Sequence, residues 1–387
     1  MHLLLLFTLL EDWPQWRGPN RDAISQTAIA NWPEKLNAKW KVDVGEGHAS
    51  PIYGGGRIYS FARQNELEIV RALDPATGKQ LWQQSYAVPY DMNPPAVPHG
   101  KGPKSTPVFD NGRLYTFGIN GMLACWDAAT GKRIWRHDFK TTPAFGGAMS
   151  PIVHNGMLIA HGGATNIGAL IAFDAATGKI NWMWKGDGPA YASPVVTTFA
   201  GVTQMITQSE KNVVGLNPAT GQLLWKIPFA TNYDQNSVTP VVHGDMLIYS
   251  GLENGVTAAR LTPKGPEQIW QNKSVSMYMN SPVWQGDLLC GLSHKNKGQY
   301  FCLNSTNGQL RWASPGRQGE NAAMILLNRQ ILSLDTDGQL HVIDTQGRTF
   351  QELKKYEVAK SATWAHPALI PGGILIKDFN SLAFFPL

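Results

Sequence analysis

A turn of the form Asp-x-x-Thr-Gly-Lys, with Trp three residues beyond its Lys, recurs along this chain. Clear copies run from Asp74 to Trp82, Asp127 to Trp135 and Asp174 to Trp182, and weaker ones from Asn217 to Trp225 and Asn304 to Trp312. Self-similarity at a fixed period of this size means a repeat architecture, in which each unit buries its apolar face only against its neighbours. Each unit reads alike. A Ser-Pro or Thr-Pro opens a short apolar run (Ser50 to Tyr53), a Gly turn follows (Gly54 to Gly56), then come runs from Arg57 to Phe61 and Glu66 to Leu73, and a fourth run carries Trp82. Four short strands separated by turn residues predict a four-stranded antiparallel meander, the blade of a propeller. Asp or Asn can bond its own backbone two residues on, and Gly supplies the positive φ that reverses the chain. The Trp of the outermost strand is expected to lie between blades, where burying the ring stabilises by at most roughly 4–6 kcal/mol.

Outer strands give the blade number. Trp82, Trp135, Trp182, Trp225, Trp270 and Trp312 mark six, and Phe350 after Asp344-Thr-Gln-Gly347 marks a seventh that has lost its Trp. Leu36 to Asp43, containing Trp40, reads as an outer strand with nothing before it, while Thr363 to Leu387 supplies three strands and stops. The N-terminal strand is therefore expected to pair with the C-terminal blade and close the ring, which removes exposed sheet edges. The expectation is all-β: one eight-bladed propeller over 36–387, with seven blades if the Phe350 unit merges with the last. An N-terminal extension, 11–35, precedes it.

These repeats resemble the pyrroloquinoline-quinone-type propeller repeat, found in quinoprotein alcohol and glucose dehydrogenases and in the propeller lipoprotein of the bacterial outer-membrane β-barrel assembly machinery. The resemblance covers about 36–387. It implies the propeller fold and work outside the cytoplasm; many members of the family bind no quinone. Asp12-Trp-Pro-Gln-Trp-Arg-Gly-Pro-Asn-Arg21 is similar to the start of a bacterial subgroup of exported propellers.

Met1 to Leu10 holds an apolar run too short to span a bilayer. It resembles the apolar core of an export signal, although it lacks a Lys/Arg leader and a clean cleavage site; a buried strand is the other reading. A periplasmic or secreted protein is expected, and no lipid anchor, since no Cys precedes Cys125. The 33 basic and 28 acidic residues leave a charge of +5 without a basic run, so nucleic acid is not an expected partner. Cys290 and Cys302 flank a hairpin tip and are expected to face each other, either as a cross-strand disulfide or as two buried thiols. Cys125 reads as an inert core thiol.

Loops entering the first strand of each blade share one face with loops joining second to third strands, around the mouth of the central channel. The residues before each blade's first strand give a predicted rim of His48, Lys104, Met149, Tyr191, Asn236, Asn280, Glu320, Asn321, Trp364 and His366. Convergent polar groups over a channel are the default ligand site; the same residues would also serve as strand starts that bond loop carbonyls. Ser85 to Ser105, rich in Pro, is either a lid or partner contact over that funnel or a stiff spacer. The roles of Trp13 and Trp16 are open: they cap one face or bind something.

The family's dehydrogenases, by resemblance, would hold a quinone beneath adjacent disulfide-linked cysteines, with calcium on Glu, Asn and Asp oxygens beside an Asp base. This chain has no vicinal Cys pair and no Cys-x-x-Cys-His for haem, and offers only Glu320, Asp91 and three rim Asn for calcium, which needs six to eight oxygens. The scattered His residues lack metal-ligand spacing, and His161-Gly-Gly-Ala-Thr-Asn166 lacks the following helix that a phosphate loop requires. The expected function is thus a non-catalytic binding or scaffold protein of the cell envelope, a monomer with a protein or peptide partner and no metal or cofactor, with outer-membrane protein assembly as one setting. The alternative is a dehydrogenase of alcohols or sugars dependent on pyrroloquinoline quinone and calcium.

Overall fold

A computed structural model describes residues 12–29 and 31–387; segment 1–10, read from the sequence as either an export signal or a buried strand, lies outside the described residues. The eight sheets form a ring of eight blades, each an antiparallel meander running from the central channel outward. Blade 1 is Ile52–Gly54, Arg57–Gln64, Leu67–Leu73 and Gln80–Ala87. The pattern repeats through blade 7, whose four strands are Ala322–Leu327, Gln330–Asp335, Gln339–Asp344 and Glu352–Glu357. Blade 8 holds Ala368–Ile370, Gly373–Lys377 and Ser381–Pro386, and Trp40–Asp43 adds its outer strand in antiparallel register, Trp40 opposite Phe384. The ring therefore closes as the sequence predicts, with eight blades.

The repeated cassette has a single physical logic. In the blade 1 turn, Asp74 Oδ1 accepts the N–H groups of Ala76 (3.1 Å) and Thr77 (2.9 Å) and the Thr77 hydroxyl (2.7 Å). Those bonds hold the Asp74 carboxyl below its usual range. The indole of the preceding blade then lies on the turn: Trp40 Nε1 donates to Pro75 O (3.0 Å), and a Cβ on Gly78, which sits at φ +71, would come within 2.8 Å of that ring. The same hydrogen bond runs from Trp82 to Ala128 O, Trp135 to Ala175 O, Trp182 to Pro218 O and Trp270 to Ser305 O. Gly is required there twice over, for its backbone angle and for the space. Trp40, Trp182, Trp270 and Trp312 are buried, while Trp82, Trp135 and Trp225 are half-buried.

Departures follow from the neighbour. Blade 5 has no Asp-x-x-Thr-Gly turn, and Trp225 Nε1 turns to Gln204 Oε1 of its own blade (2.6 Å). The sequence places the seventh marker at Phe350, but the register corrects this. Lys354 opposite Val342 is the equivalent of Trp82 opposite Ala72, and Phe350 precedes the strand, packed on Trp312 and Tyr300. Blade 8 takes its outer strand from the N-terminus, so it has no turn for a seventh indole to cover. The incoming chain fills that space instead: Trp32 packs on Tyr356, Tyr356 O–H donates to Pro33 O (2.6 Å), and Lys354 pairs with Glu34.

The N-terminal extension is a plug. Tyr53 N donates to Trp13 O and Phe109 N to Pro14 O, in blades 1 and 2. Arg21 donates to Ser150 O (2.8 Å) and Pro151 O (2.9 Å) in blade 3, and Arg17 to Pro282 O in blade 6. Trp16 bonds Thr239 of blade 5 and packs on His366 of blade 8. Ile24–Ser25 then pairs in parallel with the inner strand of blade 7. That inner strand, unlike those of the other seven blades, has no proline at its start, and Leu326 N on its free edge donates to Ala23 O (2.8 Å).

Cys290 and Cys302 stand directly opposite in blade 6, Cα atoms 4.1 Å apart, and form a disulfide. Cys125 is free and buried, with burial pushing its thiol up to about 12. No helix among the described residues is long and apolar enough to cross a membrane.

Candidate functional site

Each Ser/Thr-Pro start contributes a hydroxyl to a belt around the channel. His366 N donates to Ser50 Oγ (2.8 Å), Ser50 N to Thr106 Oγ1 (3.3 Å), and Thr106 N to Ser150 Oγ (2.9 Å). Ser150 N then donates to Ser193 Oγ (3.0 Å), Ser193 N to Thr239 Oγ1 (3.3 Å), and Thr239 N to Ser281 Oγ (2.9 Å). Blade 7 takes no part in the belt, and blade 8, which starts with His366-Pro367, gives it an N–H but no hydroxyl. Proline after each hydroxyl begins a strand without a donor of its own, so the ring is stitched by the residue before it.

Above the belt opens a cavity of about 540 Å³, floored by Trp16 and reached from the loops that enter the blades. The volume is in the range of small-ligand sites. Of the predicted rim, His48, Lys104, Tyr191 and Trp364 line it. The others have different work. Asn236 is buried and donates to Ser209 O (2.7 Å) and Phe229 O (2.8 Å), Asn280 accepts from Leu292 N, and Asn321 donates to Met279 O (3.0 Å). His366 lies under Trp16, its imidazole held neutral by burial at about 3. Met149 is core, and Glu320 is exposed outside the lining.

Sequence reasoning left Trp16 open between capping a face and binding something, and missed Phe145, Tyr233, Gln235 and Tyr278, which lie on loops without a repeat signature. The Pro-rich connection does lean over the funnel: its short 3-10 turn Pro94–His99 places Pro95 and His99 in the lining. His99 sits edge-on to Trp364 (4.9 Å between rings), and its carbonyl accepts from His48 Nε2 (2.8 Å). Burial first, then the charges of Lys377 and Lys104, hold His48 neutral at about 3. Across the funnel, Phe145 packs on Tyr191, and Tyr278 O–H donates to Gln235 Oε1. Around the mouth Val97 and Tyr233 stand 60% and 80% exposed.

Lys104 is the charged residue of the lining. Its Nζ donates to Phe145 O (2.9 Å), and burial lowers it to about 8. The lining holds no carboxylate, and no group of three His, Cys, Asp or Glu among the described residues could hold a metal. Calcium needs several carboxylate oxygens, so the residues present do not fit a calcium-bound quinone. The Gly-rich hairpin after His161 is filled from within: Asn166 N donates to both oxygens of buried Glu210 (2.9 and 3.1 Å).

The profile of the PQQ_2 family, described as outer membrane protein assembly factor BamB, matches residues 66–314, more than half of the chain. The chain belongs to this family. Outer membrane protein assembly factor BamB of Yersinia pestis is 23% identical over 359 residues, 87% of this chain and 85% of that protein. The dehydrogenase subunit of the quinone alcohol dehydrogenase of Acetobacter aceti is 32% identical over 165 residues, 38% of this chain, and this chain spans 21% of its length. Among solved structures, a europium-containing methanol dehydrogenase superposes with a TM-score of 0.74 at 13% identity, covering 98% of this chain and 99% of that one. That last likeness is one of fold.

Proposed function

We propose that this protein is a docking and scaffold propeller of the cell envelope, exported to the periplasm or beyond, with outer-membrane protein assembly as its setting. One observation carries the reading: the family match to an assembly factor is combined with a funnel whose floor is sealed by the chain's own Trp16 and whose lining has no carboxylate. A sealed, aromatic funnel whose loops expose Val97, Tyr233 and Met279 is a surface for holding a partner. His48, Lys104, Tyr191 and Trp364 are its proposed contact residues. The partner is a protein or peptide, and the protein acts as a monomer without a cofactor.

The test is fractionation followed by cross-linking. The protein is expected in the envelope fraction, cross-linked through a photoreactive residue at position 233 or 279 to a component of the outer-membrane assembly machinery, and its deletion should lower outer-membrane protein levels. Recovery in the cytoplasm would end the reading. The quinone-dependent alternative has in its favour the 32% identity of one segment to an alcohol dehydrogenase. Quinone- and calcium-dependent, dye-linked oxidation of an alcohol or sugar by the purified protein would establish it instead.

A further inference from the structure

The funnel's hydrogen-bonding groups are unbalanced. Ser150, Ser193, Thr239 and Ser281 each accept a backbone N–H from the preceding blade, and none of their own protons has an acceptor among the described residues. A hydroxyl that accepts along one direction must aim its O–H elsewhere, and all four line the cavity. Tyr191 is in the same state, since its oxygen accepts from Phe145 N (3.3 Å). Lys104 spends one donor on Phe145 O and keeps two. Against these stand two side-chain acceptors without a partner, His48 Nδ1 and one ring nitrogen of neutral His99. The lining thus presents donors in excess, a single cation, and walls of aromatic rings.

We propose that the funnel binds a carboxylate with an apolar or aromatic body, the anion against the hydroxyl belt and Lys104 and the body against the rings. This rests on the funnel being a binding site, as read above, and adds the chemistry of what enters it. An acceptor-only group satisfies donors that an alcohol or amide would satisfy in part. One lysine matches one negative charge. The same chemistry is carried by a small free acid and by the C-terminus of a peptide, and the cavity opens past exposed Tyr233, so a longer chain has a way out.

The test uses the purified full chain and isothermal calorimetry, with tryptophan fluorescence as a second readout because Trp16 and Trp364 line the site. The probes are 3-phenylpropionate and its primary amide, and a hexapeptide ending in Phe with a free or an amidated C-terminus. The acid should bind and the amide should bind at least about tenfold more weakly, the size of one lost charge-assisted bond. Lys104→Met should weaken acid binding by a similar factor and leave the amide unchanged, with Lys104→Arg restoring it. Ser193→Ala with Ser281→Ala should weaken the acid further, provided the melting temperature shows an intact ring. If only the small acid binds, the ligand is a metabolite; if the free-acid peptide also binds, it is a chain end. Equal affinity for acid and amide, or no saturable binding of any probe, overturns the proposal. The cross-linking outcome is independent of all these titrations, so the two readings fail separately.

Discussion

At the scale of the residue, the indole-on-turn contact makes the glycines unequal. Gly112 and Gly178 both sit at φ +74, but a Cβ on Gly112 meets nothing within 4 Å, whereas one on Gly178 lies 2.7 Å from the Trp135 ring. Gly112→Ala should cost about 1–2 kcal/mol of backbone strain, and Gly178→Ala about 1–3 kcal/mol more by overpacking, read from denaturant midpoints. Trp135→Ala, which removes the ring and its bond to Ala175 O, should cost about 3 kcal/mol. A loss below about 1 kcal/mol would contradict that packing. This cassette was legible from sequence because it is local: Asp74 bonds N–H groups two and three residues ahead. The seventh marker misled because what replaces the indole, Trp32, arrives from more than 300 residues upstream of its partner Tyr356. Cysteine pairing gives a further residue-scale check. The unfolded chain should yield one titratable thiol, Cys125, without reductant and three with it.

At the scale of the element, one of the side chains that join neighbouring blades, Glu68, is an ionisable group. It leaves the third strand of blade 1, accepts Ile119 N of the neighbouring blade (2.7 Å) and Tyr86 O–H (2.5 Å), and is buried. Burial pushes its carboxyl up to about 7, while the bonds from Tyr86 and Ile119 and the charge of Arg63 pull it back only partly. The folded chain therefore holds a proton that the unfolded chain, with an ordinary value near 4.5, releases. Its contribution to stability should be full below about pH 4.5 and be lost as pH rises through about 7. Unfolding midpoints measured across that range should show this fall, and Glu68→Gln should flatten it. A slope unchanged by the substitution would assign the pH dependence elsewhere. The site was only partly readable at this scale. Residues before each first strand were found by their place beside the strand start, yet Asn236 and Asn321 proved to bond loop carbonyls and Asn280 a strand N–H of its own blade. The aromatic half of the funnel came from irregular loops, where sequence pattern carries no register.

At the scale of the whole molecule, residues 13–43 do two separable things, and truncation should part them. Residues 13–25 touch blades 1, 2, 3, 5, 6, 7 and 8 and seal the channel, with Arg17 and Arg21 buried among carbonyls. Trp40–Asp43 supplies a strand to blade 8 and covers the turn of blade 1. The closing strand was visible in the sequence, since two partial units at opposite ends must complement each other. The plug was visible only as one of two readings of Trp13 and Trp16, because it has no period and its partners are scattered around the ring. A chain beginning at residue 36 keeps the closing strand, so it should stay folded and monomeric by size-exclusion chromatography. It should melt at a lower temperature, and funnel ligands should lose affinity because their floor, Trp16, is gone. A chain beginning at residue 46 should fare differently in kind. It leaves the Ser381–Pro386 edge unpaired, strips the Trp40 ring from Gly78, and exposes Phe384, to which that ring was stacked. An open apolar strand edge invites pairing with another copy, so this form should aggregate or dimerise. If instead it remains a monomer as stable as the chain starting at 36, then ring closure contributes little, and the blades hold each other through the belt of hydroxyls and the remaining indoles alone.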